Sequence, residues 1–99
     1  MSKTILNQND AETLAIEALV FLAQEPELMN RFLSLTGIEA SSIREAAGEP
    51  AFLTGVLQFY LAHEPTLMKF CEASGHQPES MNQALHHLPG GATHFENSM

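Results

Sequence analysis

Five histidines, twelve carboxylates and one cysteine are the side chains of this 99-residue chain that could hold a metal, move a proton or attack an electrophile. Their spacing favours none of these. His86 and His87 are adjacent, so on a helix they stand about 100° apart and lack the i, i+4 geometry with which two histidines grip one ion. His63, His76 and His94 are scattered over predicted helix ends and the C-terminal stretch. A weak adventitious site joining His86 or His87 to His94 is the main metal alternative. No two carboxylates sit close together in a setting that would raise one pKa for acid–base work. Glu25 and Glu64 each precede a proline at a predicted helix start, where a carboxylate meets the positive end of the helix dipole. His63-Glu64 could orient a proton, but no nucleophile stands beside it. Ser41 and Ser42 read as helix starters. Cys71 lies in an apolar stretch and would need a neighbouring base and exposure to act as a nucleophile, so core packing is its expected role. The glycines are helix stops, not a phosphate loop. No catalytic, cofactor-binding or metal-binding residue is therefore assigned.

Helical elements must position these residues. Leu14, Ala18, Ala11, Leu22, Ala15 and Leu19 share one broad face at 100° per residue, which predicts a first helix from a cap at Asn9 or Asp10 to about Gln24. Ile16, Val20 and Ala23 extend the apolar surface further round and leave a narrow polar stripe. A helix this oily is either central in the core or half of an interface. Pro26 then sits in the first turn of a second helix, where proline is welcome, and Gly37 reads as its left-handed cap, closed by Ile38. A short third helix opens at Ser41 or Ser42 and runs through Ala47. Pro50 starts a fourth, to about His63, with Phe52, Leu53, Val56, Leu57, Phe59, Tyr60 and Leu61 over most of its circumference and Thr54 and Gln58 as a polar edge. Pro65 starts a fifth, with Leu67, Met68, Phe70 and Cys71 inside and Gly75 as its cap. Pro78 starts a sixth, with Met81, Ala84, Leu85 and Leu88 inward, and Pro89-Gly90-Gly91 stops it. No strand-like alternation occurs.

The chain states much of this twice. ALVFLAQEPELMNRFLSLTG, from Ala18, is repeated as VLQFYLAHEPTLMKFCEASG, from Val56. Leu19 matches Leu57 at an offset of 38, Pro26 matches Pro65 at 39, and Gly37 matches Gly75 at 38 again. The expected fold is all-α: a compact bundle of about six short helices in two similar three-helix halves. The first helix packs against the fourth about an approximate two-fold.

Composition bounds the rest. Apolar residues at 44 % and charged residues at 16 % describe one globular domain, spanning 1–99 with an ordered core over about 9–89 and a flexible tail over 90–99. Four basic residues against twelve acids give a net charge of −8, which repels free nucleic acid and anionic membrane. FLSLTGIEASSIREAAGEP has the outline of a helix-turn-helix, but its reading helix would offer Arg44 beside Glu45 and Glu49. One cysteine forms no internal disulfide, MSKTILNQND lacks the order of a signal peptide, and the run Leu14 to Ala23 is roughly half of the ~20 residues a membrane span needs. A soluble, cytoplasmic protein is expected.

FLAQEPELMNRFLSLTG, then SIREAAGEPAFLTGVLQFYLAHEP, then HQPESMNQALHHLPG, resembles a family of small bacterial all-helical proteins, a domain of unknown function. The likeness covers residues 14 to 90. It implies an all-helical single domain in a bacterial cytoplasm and brings no activity or site residues with it. Glu39-Ala40 stands where the family pattern has an acid-proline pair, so the third helix is the least firmly marked.

The surplus apolar surface on helices one and four points to a non-enzymatic protein-interaction module that associates with itself or with another protein. A degenerate helix-turn-helix regulator is the alternative, as is a small-ligand or metal-binding bundle using His63, Tyr60 and Cys71. The candidate interaction residues are Arg31, Arg44, Glu25 and Glu64, at helix starts and on the short third helix.

Overall fold

Proline starts and glycine stops mark most element boundaries in the computed structural model, which describes residues 7–88. The helices are α1 (Gln8–Gln24), α2 (Pro26–Thr36), α3 (Ile43–Ala46), α4 (Pro50–Leu61), α5 (Glu64–Ser74) and α6 (Pro78–His86), with a 3-10 turn at Ala40–Ser42 leading into α3. Among the described residues there is no strand. Gly37 and Gly75, aligned by the sequence repeat, are both left-handed (φ 77° and 85°), and their N–H groups donate to the Leu33 and Cys71 carbonyls, each at 2.9 Å. These bonds satisfy carbonyls that the helix ends leave open.

Some boundaries differ from expectation. The cap of α1 is Asn7, not Asn9 or Asp10: its Oδ1 accepts from the Asp10 N–H at 2.9 Å, and Asp10 falls in the first turn. The third helix begins as a 3-10 turn and shrinks to four residues, since neither serine makes a side-chain cap. The fourth helix ends at Leu61, two residues early, and His63 becomes the N-cap of α5. Residues 90–99, expected to form a tail, lie outside the described residues, as does the stop at 89–91.

The core is built around α4. Phe52, Thr54, Val56, Leu57, Phe59 and Tyr60 are all buried on this one helix, Leu53 packs partly against the core, and the expected polar edge is half lost because Thr54 is 5 % exposed. α1 lies against α4, α6 and α2, and α6 lies against α1, α4 and α5. The buried row of α1 is rich in alanine (Ala11, Ala15 and Ala18, all 0 % exposed), which lets neighbouring backbones come close; Leu14 and Leu22 are buried on the same face. Phe32 of α2 enters the centre edge-on to Phe52 and Phe59, and Phe70 of α5 packs against Tyr60 and Phe21. The Tyr60 hydroxyl donates to the Ala18 carbonyl at 2.7 Å, tying α4 to α1 through a buried bond. Met81, Ala84, Leu85 and Leu88 of the last helical segment are buried as expected; Met68 is not, and its 39 % exposure corrects its assignment to the inside of α5.

Candidate functional site

The chemically distinctive spot lies where α2 meets the α4–α5 junction. Proline at the start of α2 sets its phase, so Arg31 and Leu35, one turn apart, share an outward edge. The break after α4 places His63 opposite them. The Arg31 Nη1 stands 3.2 Å from His63 Nδ1 and 3.3 Å from Nε2. An atom that close to both ring nitrogens lies over the face of the imidazole, because an in-plane approach would overlap Cε1. The ring is itself held: Nδ1 is hydrogen-bonded to the Thr66 hydroxyl at 2.7 Å, and Thr66 is 2 % exposed. Arg31, His63, Ala62, Leu35 and Phe59 line an open groove of about 430 Å³. Its floor is the buried Phe59, and its rim is Leu35, at 71 % the most exposed of the large apolar side chains described.

Of the four candidate interaction residues, only Arg31 belongs to this groove. Glu25, the N-cap of α2, makes no side-chain cap; its carboxylate pairs with Lys69 Nζ on α5 at 3.6 Å. Glu64 is exposed at the start of α5. Arg44 is exposed on the single turn of α3, beside a notch lined by Glu39, Glu45 and Glu49. A one-turn helix in acidic surroundings has no length to lie along a DNA groove and little charge to meet phosphates, so the helix-turn-helix outline gains nothing from the fold.

The trio of His63, Tyr60 and Cys71 does not converge. His63 is half-buried beside the groove, while Tyr60 (0 % exposed) and Cys71 (7 %) are in the core. Burial pushes the Tyr60 phenol well above its ordinary value, with the Glu25 carboxylate adding to the effect. Burial likewise pushes the Cys71 thiol up, which disfavours the thiolate a nucleophile needs. Among the described residues no group of three or more His, Cys, Asp or Glu side chains is placed to hold a metal; His94 lies outside them. His76, following the α5 cap, is spent on structure: its ring stacks on Phe70, and Nε2 meets Glu17 Oε1 of α1 at 2.6 Å.

A second surface feature is the outer side of α1. Ile16 and Val20 are each 50 % exposed, one turn apart, and Ala23 is exposed a further turn along. All three point away from the alanine row. The surplus expected on helix four is absent, since the core consumes it.

A small all-α domain built on a central buried helix defines a fold class without a reaction. The chain belongs to the family DUF3572, proteins of unknown function, which matches residues 8–91 and so takes in all six helices. No curated protein and no solved structure matches it. Among the described residues no helix is long and apolar enough to cross a membrane.

Proposed function

We propose that this protein is a non-enzymatic interaction module of the bacterial cytoplasm that associates with a second copy of itself through the outer face of α1. The observation that carries this reading is the stripe of Ile16, Val20 and Ala23 on the side of α1 turned away from the core. A monomer has no internal use for two half-exposed β-branched residues one turn apart. A helical stripe is self-complementary when two copies pack antiparallel about a two-fold, the commonest closed symmetry. In that pairing Glu12, near the start of the stripe, faces the partner's Ala23 and Gln24, and the adjoining Glu25 is already paired with Lys69, which limits repulsion between the acids. The stripe is smaller than the ~1,200 Å² of a standard interface, which makes the association weak and concentration-dependent. The non-enzymatic part of the reading is supported by the burial of Cys71 and by the structural employment of His76.

Amide chemical shifts followed on dilution test the location. The amides from Ile16 to Gln24 shift together, and those of α5 and α6 do not. Concentration-dependent shifts confined to α2 or α3, with α1 silent, contradict it.

A further inference from the structure

We propose that the groove between α2 and the α4–α5 junction binds a small monocarboxylate with an apolar body. This groove is separate from the outer face of α1, and Arg31 is its one cation among the described residues. The chain carries twelve acids, yet among the described residues none pairs with this guanidinium, whereas Lys69 has Glu25 and His76 has Glu17. Its neighbour is instead an imidazole, which it covers through Nη1 alone. A guanidinium has five N–H donors in a fixed fork, so resting Nη1 on the ring leaves donors on Nε and Nη2 for a planar two-oxygen acceptor. The fork is preorganised, because His63 is anchored to the buried Thr66 and the arginine rests on a fixed ring rather than sweeping through solvent.

What lies beside the cation selects the rest of the ligand. Leu35, Phe59 and Ala62 give the groove an apolar wall and floor, and Leu35 stands far more exposed than a leucine needs to be in a folded domain. A volume of about 430 Å³ suits a small organic molecule. The protein's own charge of −8 selects the ligand's charge. One local cation accommodates one carboxylate, while a polyanion such as a nucleotide would meet net repulsion from the whole molecule. A short-chain or aryl-substituted aliphatic acid meets all three demands.

The test is a titration of the full-length protein, followed by amide and arginine side-chain chemical shifts, with 3-phenylpropionate and, separately, its neutral amide. The acid produces saturable shifts at Arg31, His63 and Thr66 at millimolar concentration. The amide binds about tenfold more weakly or worse, the order of effect for losing a charge-assisted hydrogen bond. Arg31→Gln, an exposed substitution that leaves the melting midpoint in place, reduces acid binding by a similar factor, and Leu35→Asn weakens acid and amide alike. Equal binding of acid and amide overturns the proposal, as does undiminished binding by Arg31→Gln. Absence of saturable shifts at these residues, or a response to a peptide C-terminus with the free acids inert, also overturns it.

Discussion

At Gly37 the absence of a side chain decides where α2 ends. Its φ of 77° is a conformation L-residues avoid, and a Cβ there would meet no atom within 4 Å, so the cost of Gly37→Ala is backbone strain alone. That substitution is expected to destabilise by about 1 kcal/mol, a fall of about 4–8 °C in melting midpoint for a domain of this size; an unchanged midpoint contradicts the cap. Tyr60 makes a different prediction. Its phenol is raised in the folded protein, so the folded state holds this proton where the unfolded chain, with an ordinary tyrosine near pH 10, has released it. Stability from this source is complete below about pH 10 and falls above it by about 1.4 kcal/mol per pH unit. Tyr60→Phe abolishes that slope and costs about 1 kcal/mol at neutral pH through the lost bond to Ala18. Since Tyr60 is the only tyrosine, tyrosinate absorbance reads the effect directly: it rises with unfolding and not before. The glycine cap was legible in the sequence because its cause is local. The Tyr60–Ala18 bond was not, because its partners are 42 residues apart and meet only through packing.

At the scale of the helix, α1 and α4 look alike in sequence and behave differently. Both are oily nearly all round, and periodicity alone offers two readings for such a helix, central or interfacial. α4 is central: α1, α5 and α6 pack on it and Phe32 of α2 closes over Phe52 and Phe59, so that even Thr54 is buried. α1 is peripheral, with an alanine row inward and Ile16 and Val20 outward. No property of either helix by itself separates the cases; the chain order around them does. Met68 was misplaced for a related reason, since a methionine beside Leu67 at helical spacing fits the inside of α5 until neighbouring helices fix its rotation. The alanine row supplies the test. Ala15→Leu forces three further heavy atoms into a closed seam and is expected to cost about 1–3 kcal/mol in chemical denaturation, whereas Ala23→Leu, on the outer face, changes stability by no more than about 0.5 kcal/mol. Equal tolerance at both positions would contradict the assignment of faces.

Across the whole molecule, the sequence repeat survives as matching junctions and departs at the third element. The α1–α2 and α4–α5 pairs share proline starts, glycine stops and a buried phenylalanine, Phe32 in one and Phe70 in the other. Their third partners diverge: α6 has nine residues and lies against both α1 and α4, while α3 has four and contributes only partly buried Ile43, Ala46 and Ala47. The helical class and the element order were therefore readable from proline, glycine and apolar spacing. The groove was not, because Arg31 and His63 are 32 residues apart, one in each copy of the repeat, and only packing brings them together. The asymmetry also explains where surplus apolar surface ends up. α6 lies against α1 and α4, whereas the outer face of α1, with Ile16 and Val20, stays open. Sedimentation equilibrium of the unaltered protein, from micromolar to near-millimolar concentration and beside the double variant Ile16→Glu/Val20→Glu, tests self-association most directly. The unaltered chain is predicted to climb from its monomer mass of 10.8 kDa towards twice that value, while the variant stays at 10.8 kDa with its helicity intact. A mass of 10.8 kDa for both proteins at every concentration would contradict self-association through α1.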